Sequence, residues 1–244
     1  MAESMMINLL KKIIRFGKQK HNENNIVISK SAKYQIEKTA RIIGSNIILE
    51  NDSQLIIGNN VVIDNYTIRV VKGVFTIGDN TQLIGIKNSN SNTIFIDNGN
   101  LSIANNCIIQ SEFCLRFGGE CKVDCYTGIM HGTEIRCDEQ IHIGKYNMIS
   151  YECMIYDTNT HCTYSSEKRR NMTRDYFPYI GLEIEKPETK PVLIGDDCWL
   201  GKRSVILKGV TIGTHSTVAT NAVLTKPCPA DSLAYGNPAV FKQK

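Results

Sequence analysis

An all-β chain wound into a parallel β-helix is the fold class this sequence predicts, on three observations. Residues 194 to 229 divide into the hexads IGDDCW, LGKRSV, ILKGVT, IGTHST, VATNAV and LTKPCP, which align Ile194, Leu200, Ile206, Ile212, Val218 and Leu224 in one column. The fifth column of that block holds Cys198, Ser204, Val210, Ser216 and Ala222, mostly small residues. The same hexad recurs upstream as IGNNVV at 57, IDNYTI at 63, IGDNTQ at 77, IANNCI at 103, VDCYTG at 123, IMHGTE at 129, IGKYNM at 143 and ISYECM at 149. Spacings of 20 residues separate Ile57 from Ile77, Ile103 from Val123 and Val123 from Ile143, and 18 separate Ile194 from Ile212. Three strands of about six residues each close one triangular coil. The aliphatic residue of each hexad then points into the shaft, and the small residue turns the corner beside it. Gly, Asn and Asp suit the left-handed backbone of the tight turns. Pairing between coils leaves open edges only at the two ends.

The elements follow in order. Residues 1–22 predict an amphipathic helix, with Ile7, Leu10, Ile13 and Ile14 set against Lys11, Lys12, Arg15 and Lys18. Such a helix packs on the body or caps its first coil; peripheral docking on a membrane surface is the other reading. The β-helix is expected over 36–244. The 26-residue gap from Ile77 to Ile103 contains KNSNSNTIFIDNGN, read as one extra hexad's worth of loop. Between Ile155 and Ile194 the hexads stop, and 157–192 is expected as a long inserted loop without regular structure. Stretches of that length inside a regular fold are usually functional.

Composition narrows the class. Of 244 residues 42% are hydrophobic and 21% charged, as in a soluble globular protein. The net charge of +4 does not by itself argue for nucleic acid. No run of 18 apolar residues suggests a membrane span, and the start lacks the apolar core of a signal peptide. The nine cysteines include no CxxC pair, so they read as reduced thiols of a cytoplasmic protein. Cys107, Cys153 and Cys198 each follow an aliphatic column residue by four positions and read as small hydrophobes. Zinc at Cys121, Cys125 and Cys137 is the alternative for those three; no metal is expected.

Repeats of the form [LIV]-[GAED]-x-x-[STAV]-x, closing with DDCWLGKRSVILKGVTIG, then LTKPCPADSLAYGNPAVFK with GNPA at 236–239, resemble the hexapeptide-repeat acyltransferase family. The likeness is nearest to the sugar and capsular-polysaccharide O-acetyltransferases of the galactoside and maltose acetyltransferase type. It implies a left-handed coil, a departure from the usual right-handed crossover, together with acetyl-CoA as co-substrate and a homotrimer with sites shared between shafts.

The same resemblance assigns roles. His161 closes an Asp-Thr-Asn-Thr-His run that is similar to the family's catalytic Asp-x-x-x-His element, in which the histidine is the general base. An imidazole titrates near neutrality and can take a proton from an acceptor hydroxyl. Asp157 is the local candidate to orient the ring, and Asn159 stands between the two. Trp199 matches the aromatic residue beside the thioester and pantetheine arm, with a buried filler as the competing reading. Gly201 and Lys202 match the stretch whose backbone N–H faces the thioester oxygen. Ala219 and Thr220 match backbone contacts to pantetheine, although Val-Ala-Thr-Asn replaces the smaller Gly-Ala-Gly-Ser type of run. Thr225 and Lys226 match the pair at the nucleotide end. His131 reads as either an outward coil residue or an acceptor contact. His142 and His215 read as exposed residues with no specific function. Arg169 and Arg170, interleaved with aromatic residues in the loop, are candidates for acceptor binding.

The expected activity is acetyl transfer from acetyl-CoA to a saccharide hydroxyl, as in surface-polysaccharide, capsule or O-antigen synthesis, directly and with His161 as base. N-acetylation of a nucleotide-linked amino sugar fits the same pattern. A metal-dependent hydratase of this fold needs three converging histidines. A non-catalytic scaffold explains the repeats but neither the loop nor the C-terminal pattern.

Overall fold

The computed structural model describes residues 24–87, 92–178, 181 and 185–244. The expected helix over 1–22 lies outside the described residues. The rest is a parallel β-solenoid of about nine turns with one short helix.

Three inward columns build the shaft. In the first, Ile57, Ile77, Ile103, Val123, Ile143, Ile194 and Ile212 are successive Cα partners on neighbouring coils. The second runs Ile63, Leu83, Ile109, Ile129, Ile149, Leu200, Val218 and Ala234. The third runs Ile68, Ile94, Phe113, Ile135, Ile155, Ile206 and Leu224. Every one of these side chains is buried. At roughly 1.5–3 kcal/mol for each large aliphatic side chain taken from water, they are the main stabilising term of the fold. Cys198, Ser204, Val210, Ser216 and Ala222 are buried too, as are Cys107 and Cys153. None of the nine cysteines forms a disulfide.

Corners follow the backbone chemistry. Asn60, Asn80, Asn106, Tyr126, Tyr146, Asp197, His215 and Asp231 all have φ between 52° and 61°, the left-handed region in which asparagine and aspartate are the least strained non-glycine residues. Tyr126 and Tyr146 stack with ring centroids 5.1 Å apart. Gly73 has φ 120°, and a Cβ there would lie 1.9 Å from the carbonyl oxygen of Gly99, so only glycine fits.

Four features differ from the sequence expectation. Regular pairing begins before residue 36, because Asn25–Ile28 already pairs with Asn46–Leu49. TIFIDNGN is not loop: Thr93–Ile103 is an 11-residue strand alongside Thr67–Ile77. Its alternating Ile94 and Ile96 fill the shaft, and Asn92 fixes the strand's entry by donating to the carbonyls of Asn65 and Ile86. The inserted loop contains a helix, α1 (Ser166–Asp175), capped by the Ser165 hydroxyl, which accepts from the Lys168 N–H. Its Glu167 and Arg174 complement the helix dipole. The signal was missed because α1 has no apolar stripe and buries none of its residues. Finally, the chain ends in an antiparallel pair, Ser232–Tyr235 with Val240–Gln243, which closes the last coil.

Candidate functional site

The inserted loop has a structured neck. Its first residues and its last run antiparallel, with Thr158 bridged to Thr189, the Asn159 N–H donating to the Glu188 carbonyl and the Lys190 N–H to the Asp157 carbonyl. The neck leaves the strand Met154–Tyr156 and returns into Val192–Ile194. The register from Ile143 to Ile194 is therefore undisturbed by the insertion.

Asp157 is fully buried at the base of the neck. Its carboxylate accepts from the N–H groups of Asp138, Glu139 and Gln140 at 2.7 to 2.9 Å. Burial raises its carboxyl above the ordinary range although these donors favour the charged form. Both oxygens are engaged in holding the corner, so the orienting role expected of Asp157 toward His161 is not the one its hydrogen bonds perform. Asn159 is exposed and reaches Glu188, which also pairs with Lys208 at 2.8 Å. His161 is exposed just past the neck; its N–H donates to the Asn159 carbonyl, and its ring edge lies against Gly181. A Cβ at Gly181 would stand 3.7 Å from the His161 ring.

A second group occupies the next corner of the same coil. Trp199 is 53% exposed, which rules out the buried-filler reading. It stands in register with Met148 and Thr217 on an outward face that also exposes Ile108. Gly201 differs from expectation: its N–H donates to the Val218 carbonyl at 2.8 Å, and a Cβ there would sit 2.7 Å from the Thr220 nitrogen. The residue is glycine because coils meet closely there. The Ala219 N–H is likewise engaged, by the Ala234 carbonyl. Among the described residues no acceptor meets the N–H of Lys202 or of Thr220, the following residue on each coil. Thr225 and Lys226 are exposed after the strand Val223–Leu224.

Trp199 and the loop neck lie on different faces of the coil, separated by the strand Val192–Ile194, so one chain does not gather every candidate at one corner. His131 packs edge-on against Tyr151 at 4.6 Å. His142 meets Asp124 at 2.8 Å, and His215 lies between Asp197 and Asp231. Among the described residues no helix is long and apolar enough to cross a membrane, and no group of three His, Cys, Asp or Glu side chains is arranged to hold a metal ion. Arg169 and Arg170 are exposed on α1. Gly181, Glu188 and Glu152, which pairs with Lys202 and Arg203, are neighbours that sequence reasoning missed. Sequence separations of 20 to 51 residues carried no signal for them.

Comparison with known proteins bears on this arrangement. A family model described as the hexapeptide repeat of succinyl-transferase matches residues 191–226. The galactoside O-acetyltransferase of Lactococcus lactis subsp. lactis (strain IL1403) is 31% identical over 144 residues, 58% of this chain and 62% of that protein. The 2,3,4,5-tetrahydropyridine-2,6-dicarboxylate N-acetyltransferase of Staphylococcus aureus (strain JH9) is 44% identical over 61 residues, 25% of this chain and 26% of that protein. The chain thus matches less than two thirds of the length of either relative. Among solved structures, the polysialic acid O-acetyltransferase OatWY aligns with a TM-score of 0.55 at 23% identity, covering 91% of this chain and 88% of its own. The polySia specific acetyltransferase NeuO aligns at 0.53 with 17% identity, covering 91% and 86%. At such identities these two likenesses concern the fold.

Proposed function

We propose, from the premise that this chain belongs to the hexapeptide-repeat acetyltransferase family, that it transfers acetyl from acetyl-CoA to a saccharide hydroxyl. The observation that carries this reading is an exposed histidine rooted by a buried, N–H-locked aspartate at the mouth of the one long insertion in the described coils. The Lactococcus relative supports the saccharide and the O-acetyl parts.

His161 takes the proton of the acceptor hydroxyl as its oxygen attacks the thioester carbonyl. The tetrahedral oxyanion is stabilised by backbone donors, for which the N–H groups of Lys202 and Thr220 on adjacent coils are suited. Collapse breaks the C–S bond, and the imidazolium returns its proton to the departing thiolate. Trp199 offers a flat apolar wall to the pantetheine arm, and Lys226 a charge to the nucleotide phosphates. Because Trp199 and the neck stand on different faces, we assign the site to a junction of two shafts in a homotrimer. The exposed Trp199, Met148, Tyr126, Tyr146 and Ile108 favour such packing.

The test is to incubate the chain with acetyl-CoA and a panel of saccharides, following CoA thiol release and the mass of the product. An ester is lost in mild alkali and an amide is retained, which separates O- from N-acetylation. Failure of the wild-type chain to bind acetyl-CoA would remove the reading. A solution mass near 27.4 kDa at micromolar concentration would remove the shared site alone.

A further inference from the structure

Helix α1 carries a feature that the transfer chemistry does not use. Arg169, Arg170, Thr173 and Arg174 fall at i, i+1, i+4 and i+5, a spacing that places them along one side, and Phe177 follows just past the helix end. Together they line an open concavity of about 550 Å³. Two acidic side chains of the loop are engaged away from the groove: Glu185 holds Lys168 at 2.7 Å, and Glu188 holds Lys208. Arg174 is steadied by Asp175 and Asn171. Arg169 and Arg170 meet no carboxylate among the described residues. Arg170 and Arg174, one turn apart, repel by a few tenths of a kcal/mol, which a bound anion would reverse. Beside them Phe177 is 72% exposed.

We propose that this groove binds the acceptor as an anionic saccharide, with Arg169 and Arg170 on its carboxylate groups and Phe177 under a sugar face. The proposal rests on the saccharide reading above and names its substrate class. A fork of planar donors matches a carboxylate, and a phenyl ring matches the apolar C–H face of a pyranose, so charge and aromatic surface together fit a uronic-type sugar better than a neutral one. The groove is also tied to the base. The Cys162 thiol, next to His161, donates to the Glu185 carbonyl at 3.5 Å, and Lys168 of the first helical turn pairs with the Glu185 carboxylate. One anchor thus sets both His161 and α1.

Calorimetric titration of the full chain with hexagalacturonate, a hyaluronan oligosaccharide and neutral maltohexaose tests this without turnover. Binding of at least one anionic oligosaccharide should be about tenfold tighter than maltohexaose at low salt, and the preference should shrink as salt rises. Arg169→Ala with Arg170→Ala should weaken the anionic ligands about 10- to 100-fold. The paired lysine variant should recover part of this, and acetyl-CoA affinity and melting should stay unchanged. Equal binding of all three oligosaccharides by the wild type would overturn the proposal, as would an anionic preference that persists in the double alanine variant. A double variant that loses acetyl-CoA instead would place the cofactor's phosphates in the groove and equally overturn it. Since binding is read directly, absence of acetyl transfer would count against the transferase reading and not against the groove.

Discussion

Ile143, Ile194 and Ile212 stack as partners inside the shaft at 3% exposure or less, whereas α1, inserted between the first two, buries none of its ten residues. The shaft is held by apolar area and by a backbone ladder that repeats each coil. The loop is held by a two-residue-wide neck, a serine cap and exposed ion pairs such as Lys168–Glu185. Exposed pairs of that kind contribute about 0–1 kcal/mol each. The loop can therefore change sequence without endangering the fold, and this is where a substrate-specific surface is easiest to build.

The largest effect expected is on the shaft. Ile206→Asp places a charge between Ile155 and Leu224 with no partner, at a cost of several kcal/mol, enough to prevent folding. By contrast, replacing residues 163–186 with a short Gly-Ser linker, so that the neck is kept, should leave thermal unfolding within a few degrees of wild type while abolishing turnover. Soluble Ile206→Asp with unchanged melting, or a linker variant that does not fold, would each break the distinction between the two regions.

Next comes His161→Ala, for which a kcat loss of about 10²–10⁴-fold is expected with melting and acetyl-CoA affinity preserved. His161→Asn should be as poor, because an amide cannot accept the proton. Asp157→Asn should act differently from a simple orienting residue: removing the charge that gathers three N–H groups should lower the melting temperature as well as activity. If His131→Ala abolishes turnover while His161→Ala retains most of it, the base belongs on the shaft and not in the loop.

Cofactor affinity should respond less. Trp199→Ala and Lys226→Ala are expected to weaken acetyl-CoA binding by roughly 1–3 kcal/mol, the range for a hydrogen bond to a charged group or a lost apolar wall. Both side chains are exposed, so the fold should be kept. Wild-type affinity in both variants, by calorimetry, would move the cofactor off this face.

What could be read in advance follows the same division. The column Ile194 to Leu224 was legible because each inward residue answers to one constraint, and a period of six exposes it. TIFIDNGN was misread because its polar neighbours, Asn and Ser, resemble loop chemistry while its alternating Ile94 and Ile96 carry the strand signal over only a few residues. Helix α1 escaped because solvated helices show no periodic burial. The surroundings of Gly201 and Asp157 were not legible because each depends on what the adjacent coil presents: the Thr220 nitrogen for one, three N–H groups of residues 138–140 for the other. Contacts between coils are set by stacking, which a single hexad does not encode.

The smallest expected effect concerns the outward side of the shaft. Glu112 lies directly across from Glu134, which also receives Arg136 and the Tyr156 hydroxyl. Partial burial and then the Glu134 charge push the Glu112 carboxyl from its ordinary 4.5 up to about 7. The folded chain thus holds this proton more tightly than the unfolded one. Its contribution is fully present below about pH 4.5 and is lost as pH rises through about 7. Each unit of difference is worth about 1.4 kcal/mol at full strength; with the group partly exposed and screened, roughly 1 kcal/mol should remain. Glu112→Gln removes the ionisation, so the variant should gain about that much over wild type at pH 8, equivalent to about 2–4 °C, and nothing at pH 4. Thermal unfolding of both proteins from pH 4 to 8 checks this. Parallel curves across the range would show that Glu112 ionises at no cost and that the outer side of the shaft is as permissive as the loop.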